Sequence, residues 1–399
     1  MTELEQRILD IVQDGFPIAE RPYAVLAECI SANGNVIASC GTAKQSCVTE
    51  QQVFDAVESL RASGVIRRIG GVYDTKRLGL VSRLCAGRVP ETNFDFDGAA
   101  GREQTALEKF ATAVMNIPAI THNYIRSHEY NVWFTVIAEN ESALQSIVDK
   151  LTSETELRDV HSMPAKKMFK INTVMGKSAK APSNVIASCE TTKQSSTIDL
   201  SESDKIRIRL LSDDLPHSLT PFTDLLECHC DASTSTHNRD ASTSTHNREA
   251  STTIRHCEAS GRSNLEEFLD SARADLSSRR MRRFGAVLRH QQAGFPCNAM
   301  VCFDVGSRLQ APGTRIETSV PIDVSAAGAI LAANPHVSHC YERPAFEGFP
   351  YNVYAMFHAQ SDDELNQFVT EAAIALGNPK FAVLHSVREL KKTSYRYFA

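Results

Sequence analysis

The amino-acid sequence repeats itself at a spacing of roughly two hundred residues, far longer than a solenoid repeat. The segment GVIRRIGGVYDTKRLGL at Gly64–Leu80 returns as RRMRRFGAVLRHQQAGF at Arg279–Phe295. The segment ITHNYIRSHEYNVWF at Ile120–Phe134 returns in a looser form at Val337–Phe357. The chain is therefore interpreted as two homologous modules joined in one polypeptide. Functional residues are expected where the two modules meet.

Composition and charge narrow the class of protein. The chain has 399 residues, of which 42% are hydrophobic, and this is enough to fill a core in each module. We find no apolar run long enough for a membrane span, and the N-terminal MTELEQ is too acidic for a secretory signal. A cytoplasmic protein without membrane contact is predicted. The 11 cysteines have no regular spacing, which favours thiols over a disulfide framework.

Ser/Thr-rich tracts interrupt both modules and the segment between them. NVIASCGTAKQS at Asn35–Ser46 is nearly repeated at Asn184–Ser195, and DASTSTHNR occurs twice in succession within Asp231–Arg248. These tracts resemble translated copies of a dispersed bacterial repeat element, and they carry too little apolar surface to offset chain ordering. They are interpreted as solvated loops. The Cys and His residues of Cys228–Cys257 straddle such sequence, so no metal site is predicted there.

Outside these tracts, both modules show the same order of predicted elements. Three amphipathic helical segments and a strand-like segment, VIRRIGGVYD in module one, predict a winged helix-turn-helix. The order strand, helix, two strands, helix, strand follows, and it predicts a ferredoxin-like βαββαβ domain. The predicted fold class is α+β, with the sheets of the two modules paired about a pseudo-twofold axis.

The predicted division of the chain has five segments, which alternate between the two kinds of domain. They are a winged helix-turn-helix at 1–80 with an insert at 32–47, a ferredoxin-like domain at 81–175, a linker with a repeat-derived insert at 176–200, a second winged helix-turn-helix at 201–295 with an insert at 229–262, and a second ferredoxin-like domain at 296–399.

Polar side chains alternate along the segment Thr121–His128 of module one. Positions two apart on a strand project from the same face, which places four candidate site residues together: His122, Tyr124, Arg126 and His128. Module two matches the first three: His339, Tyr341 and Arg343. Arginine binds carboxylates through paired hydrogen bonds, and histidine titrates near neutral pH. Four polar, ring-bearing or cationic side chains on one face are not typical of a core strand, so these positions are candidates for a functional site.

Other candidates for substrate binding lie on the neighbouring predicted elements. They are Tyr130 and Tyr351 on the next strand, His290 after the second wing, and Arg67 and Arg282 on the wings. For the tyrosines, packing in the core is the competing interpretation. For the wing arginines, the alternative is surface ion pairing.

The predicted architecture resembles the Lrp/AsnC transcription factors. The strings GVIRRIGGVYD, THNYIRSHEYNVWFT, RRFGAVLRH, SHCYERP and PYNVYAMF are more specifically similar to the two subunits of siroheme decarboxylases. That resemblance implies removal of the C12 and C18 acetate carboxyls of siroheme to give 12,18-didecarboxysiroheme in heme or d-type heme biosynthesis, with no cofactor for catalysis. For this chemistry we expect Arg126 to hold a carboxylate, and His122 or His128 to supply the proton.

Two other function classes remain open at this point. A DNA-binding regulator of the Lrp/AsnC type is disfavoured by the net charge of −6 and by the acidic helix VTEQQVFDAVESLR. A heme or siroheme sensor would bind the same ligand without turnover. The predicted partners are siroheme and its product, with intramolecular pairing of the modules and possible homo-oligomers.

Overall fold

The computed structural model describes residues 1–33, 47–90, 105–171, 200–227, 261–289, 292–306, 322–392 and 397–398. The chain divides into two compact units. We call Met1–Leu78 with Thr197–Gln292 the helical unit, and Gly79–Ser196 with Ala293–Tyr397 the sheet unit. Each duplicated module thus contributes one part to each unit. Within the described ranges, none of the helices has the length and apolar character of a membrane span.

The described residues of module one form five α-helices and six strands. They are α1 Glu3–Asp14, α2 Pro22–Asn33, α3 Glu50–Ala62, β1 Ile66–Tyr73, β2 Val81–Arg88, α4 Ala106–Asn116, β3 Ile120–Arg126, β4 Val132–Ala138, α5 Glu141–Glu154, β5 Arg158–Met163 and β6 Lys167–Ile171, with a 3₁₀ turn at Thr75–Leu78. The starts of α1 and α3 are fixed by capping boxes at Thr2 and Thr49, in the sequences TELE and TEQQ.

Module two repeats this order. Its elements are α6 Glu202–Ser212, a helical segment at 221–227, α7 Gly261–Ser277, β7 Met281–Leu288, β8 Cys297–Phe303, α8 Val324–Ala333, β9 Val337–Glu342, β10 Val353–Ala359, α9 Asp362–Ala375 and β11 Phe381–Lys392. The prediction of two tandem modules, each with helices, a wing strand and a ferredoxin-like pattern, is confirmed.

The wings differ from the simple expectation of one wing per module. In the described residues each module contributes a single wing strand, and β1 pairs antiparallel with β7 of the other module. Gly70 lies opposite Gly285 in this pairing. A Cβ atom on Gly70 would approach the Asp213 carbonyl oxygen to 2.3 Å, and one on Gly285 would approach the Val12 carbonyl oxygen to 2.6 Å. Only glycine allows this close backbone packing.

In the part of the sheet unit that the structure describes, nine strands form a sheet in the order β5-β2-β4-β3-β11-β8-β10-β9-β6. The final strand of each module crosses to the other module. β11 pairs with β8 and then with β3, while β5 pairs with β2 and β6 pairs with β9. Residues 164–166 connect the two edge strands β5 and β6, so one end of each edge strand lies close to the other in the chain. The predicted pairing about a pseudo-twofold axis therefore takes place through exchanged strands.

Three hydrophobic clusters hold the sheet unit together. Helices α4 and α5 pack on module one of the sheet through residues such as Phe110 and Leu144, and α8 and α9 do the same for module two. The third cluster contains residues of both modules, including Trp133, Met163, Phe349 and Tyr354. Because both modules contribute to it, this cluster requires the complete duplicated chain.

Most of the predicted inserts lie outside the described residues. These are the greater part of 32–47, all but the last residue of 176–200, and 229–262 apart from the start of α7. The division into five segments with those boundaries therefore stays a prediction.

Candidate functional site

Tyr124 and Arg126 of β3 are in contact on one face, as alternation predicts. The predicted alternation does not continue past Arg126, where the strand ends. The Arg126 guanidinium carbon lies 5.1 Å from the centroid of the Tyr124 ring. Arg126 N–H donates to the Asn131 carbonyl at 2.8 Å, which closes the hairpin and ends β3. The placement of His128 on the same strand is therefore wrong. His128 lies in the turn, where its N–H donates to the Arg126 carbonyl at 2.9 Å.

Module two contains the same arrangement. Arg343 N–H donates to the Asn352 carbonyl at 2.9 Å, and its guanidinium carbon lies 5.0 Å from the Tyr341 ring centroid. His339 Nδ1 contacts Ser338 Oγ at 2.9 Å. In module one His122 Nδ1 contacts the Thr121 hydroxyl at 3.0 Å. The duplication therefore extends to hydrogen bonds of the candidate site.

Arg126 is buried and Arg343 is partly buried, and each guanidinium reaches a strand of the opposite module, β11 for Arg126 and β5 for Arg343. Arg126 donates to the Leu384 carbonyl at 3.0 Å, and Arg343 donates to the Met163 carbonyl at 2.7 Å. Burial lowers the pKa of Arg126 to about 10 and also lowers the pKa of Arg343. Among the described residues, no carboxylate pairs with either guanidinium, and the Nε of each lacks a hydrogen-bond partner. A buried cation of this kind is stabilised by an incoming anion.

Arg126 also lines an open cleft of about 780 Å³ beside the β3–β4 hairpin. Its charged and titratable lining residues all come from module one: Arg88, Arg126, His128, Glu129, Arg158 and Asp159. Three guanidinium groups in one cleft favour a ligand with several carboxylates. Arg88 and Arg158 are not among the residues predicted from the sequence, although the position of Arg88 at the end of a predicted strand is a usable signal.

His128 is half-buried and has a defined orientation in this cleft. Its Nδ1 accepts the Tyr130 backbone N–H at 3.1 Å, and its ring lies 5.2 Å from the Phe349 ring in an edge-to-face contact. Because Nδ1 accepts, the neutral imidazole carries its proton on Nε2. Burial lowers the pKa of His128 below its ordinary value of 6.5, Arg88 lowers it further, and Glu129 opposes the shift.

The hairpin of module two packs against module one. Phe346 stacks on the His161 ring with centroids 3.8 Å apart, and Phe349 lies 5.6 Å from the Trp133 ring. Tyr130 is only 2% exposed and joins this aromatic cluster, as the packing interpretation expects. Tyr351 is partly buried, with its ring 4.8 Å from that of Phe349. The added residues PAFEGF thus cover module one, a role that the sequence did not indicate.

The remaining candidates lie elsewhere. Arg282 is in the helical unit and pairs with Asp74 at 2.9 Å, as in the ion-pair interpretation. Arg67 is partly buried on β1 of the same unit. His290 lies outside the described residues, as does the Cys228–Cys257 group. In the described part of the chain, no cluster of three or more His, Cys, Asp or Glu side chains could hold a metal ion.

The chain is similar to known protein families and proteins over nearly its whole length. Residues 98–170 and 292–391 match the profile of the AsnC-like ligand binding domain, and residues 5–33 match that of the siroheme decarboxylase NirDL-like HTH domain. The siroheme decarboxylase of Hydrogenobacter thermophilus is 26% identical over 394 residues, covering 98% of this chain and 94% of that protein.

The chain is also similar to a single enzyme subunit and to a solved structure. The siroheme decarboxylase alpha subunit of Desulfovibrio desulfuricans is 35% identical over 171 residues, which cover 43% of this chain and 82% of that subunit. The crystal structure of the siroheme decarboxylase NirDL with an iron-uroporphyrin III analogue has the same fold, with a TM-score of 0.59, 22% identity and coverage of 100% of this chain and 95% of that chain. By its sequence similarity, the chain belongs to the siroheme decarboxylase family.

Proposed function

We propose that this chain is a siroheme decarboxylase that removes the C12 and C18 acetate carboxyls of siroheme without a catalytic cofactor. Family membership supports the reaction class. The assignment of roles to particular residues rests on the cleft of module one. In this cleft the buried Arg126 lies beside the half-buried His128. A site of this composition suits a polycarboxylate substrate.

Loss of carbon dioxide breaks a carbon–carbon bond and leaves an electron pair on the acetate methylene carbon. The conjugated macrocycle of the substrate delocalises this electron pair, so the protein needs to supply only orientation and one proton. We assign orientation to Arg126, assisted by Tyr124, and delivery of the proton to Nε2 of His128. His122 is the alternative donor on β3. The product then carries a methyl group where the acetate was.

Module two has the binding role in this proposal. Arg343 holds a second carboxylate, and His339 and Tyr341 line the same face of β9. Tyr130 and Tyr351 belong to the aromatic cluster of the sheet unit, and the substrate contacts predicted for Arg67, Arg282 and His290 stay predictions. We extend the proposal to three further predictions: the division of the chain into five segments, a cytoplasmic location and a possible homo-oligomer.

The charged side chains of helices α3 and α7 argue against the alternative function, DNA binding. Arg61 of α3 is paired with Asp214 at 2.8 Å, and its side chain is only 5% exposed. Arg273 of α7 is paired with Asp270 at 2.6 Å. Both guanidinium groups are thus neutralised by the protein, which leaves these helices unsuited to a phosphate lattice.

Anaerobic incubation of the purified protein with siroheme tests the activity. We expect a product lighter by two carbon dioxide molecules, measured by mass spectrometry after extraction of the tetrapyrrole. Heat-denatured protein is the control for spontaneous loss. Siroheme that binds but keeps its mass at stoichiometric protein would instead identify a sensor.

The pKa of His128 predicts how activity depends on pH. A protonated donor is present at low pH and is lost as pH rises through its pKa, which burial lowers below 6.5. We therefore expect kcat/KM to rise as pH falls and to level off below that pKa. The His128→Asn variant should lack this step in the pH profile, whereas a step that persists would assign the proton to another group.

A further inference from the structure

Hydrogen bonds identify equivalent positions in the two modules of the sheet unit. In module one, Val89 N–H donates to Asn131 Oδ1 at 2.9 Å, and Asn131 Nδ2 donates back to the Val89 carbonyl at 2.8 Å. In module two, Val305 and Asn352 make the same two bonds, at 2.9 and 2.8 Å. The residues just before the valines, Arg88 and Asp304, therefore occupy the same place in the fold.

The charge at this position is opposite in the two modules. Arg88 lines the cleft of module one, and its guanidinium carbon lies 4.4 Å from the centroid of the Tyr130 ring. Asp304 is only 7% exposed, and its Oδ1 has no hydrogen-bond partner among the described residues. A carboxylate substrate is attracted to the first position and repelled from the second.

We propose that Arg88 is a specificity-determining residue that holds a further substrate carboxylate beside Arg126, and that Asp304 prevents the equivalent place in module two from binding one. Each chain then has one tetrapyrrole site, and its pair of neighbouring arginines lies in module one. Arg343 contributes from module two as a partly buried guanidinium without an arginine at the Arg88 position. This inference rests on the proposed function, since it takes siroheme as the ligand.

The present partners of Arg88 are compatible with this role. Glu129 lies 2.6 Å from its guanidinium and Asp159 lies 3.6 Å from it, but their side chains are 62% and 59% exposed. Exposed ion pairs contribute little free energy, so a substrate carboxylate can replace these partners at small cost. The contact with the Tyr130 ring keeps the guanidinium in place during such an exchange.

Equilibrium titration of the full chain with siroheme, followed by visible absorption, tests the proposal. We expect one bound siroheme per chain and a Kd raised roughly 10- to 100-fold by Arg88→Ala. Arg88→Lys should weaken binding less, because it keeps the charge and loses the paired geometry. Arg83→Ala is the matched control: Arg83 lies on the same strand, pairs with Glu141 and is absent from the cleft lining.

The outcomes separate this inference from the proposed function. Two equivalent sites per chain, or an Arg88→Ala variant with the Kd of the control, would overturn the role of Arg88 and Asp304. Siroheme bound at one Arg88-dependent site without decarboxylation would overturn the enzymatic function alone. If siroheme does not bind, calorimetry with benzenehexacarboxylate, a planar polyanion, applies the same test to the cleft. Absence of an Arg88-dependent site for that probe would also refute the inference.

Discussion

Replacing His128 by alanine is expected to lower kcat by about a hundred- to ten-thousand-fold while substrate binding is largely kept. General acid catalysis contributes an effect of this size when one residue is the sole proton donor. The remaining guanidinium groups of the cleft still hold the carboxylates, so the loss falls on turnover. Single-turnover kinetics with bound siroheme would measure the chemical step directly.

A second variant separates proton transfer from structure. Nδ1 of His128 accepts the Tyr130 backbone N–H at 3.1 Å. His128→Asn offers an amide oxygen to the same N–H but has no titratable proton near neutral pH. We expect it to be as inactive as His128→Ala, with a Tm closer to that of the unaltered protein.

Variants of His122 and of the module-two histidines test whether His128 is the proton donor. Because module two has no counterpart of His128, removal of His128 should reduce turnover more than removal of His339. Near-normal turnover in the His122 and His128 variants, beside an inactive His339 or His290 variant, would place the proton donor in module two.

Replacing Arg126 by methionine is expected to weaken siroheme binding by about 2–5 kcal/mol, roughly 30- to 5000-fold in Kd, with a smaller change in kcat. The guanidinium is 4% exposed and has no carboxylate partner among the described residues, so it is costly to bury before the substrate arrives. Methionine fills similar volume without this cost. We therefore expect the Tm of the free protein to fall little, or to rise.

The same substitution at Arg343 is the matched comparison. Arg126 donates to both the Leu384 carbonyl and Ser386 Oγ, whereas the contact of Arg343 with the opposite module is with the Met163 carbonyl. Both variants should weaken binding, and Arg126→Met should do so more because Arg126, and not Arg343, lines the described cleft. A large loss of Tm with unchanged Kd would make Arg126 a structural residue that joins the two modules.

Local patterns in the sequence were sufficient for most of the architecture. The duplicated strings predicted two modules, and the capping boxes at Thr2 and Thr49 lie in the short sequence patterns TELE and TEQQ. Alternation along β3 placed Tyr124 and Arg126 on one face, where they are in contact. These features depend on neighbours within a few residues, and such neighbours are visible in the sequence.

Other features depended on pairings between distant parts of the chain. Alternation did not indicate that β3 ends at Arg126, because the closing hydrogen bond comes from the hairpin geometry. The wing residue Arg282 is paired with Asp74 of the other module, a contact that no sequence period encodes.

The sequence by itself determined the duplication, the order of helices and strands, and the matched pair Arg126 and Arg343. Only the tertiary structure decided that each final strand crosses to the other module and that the two arginines reach across to it. It also decided that Arg88 joins Arg126 and His128 in one cleft. The physical reason is that side-chain periodicity reports which face a residue occupies, whereas strand exchange and clefts arise from long-range backbone pairing.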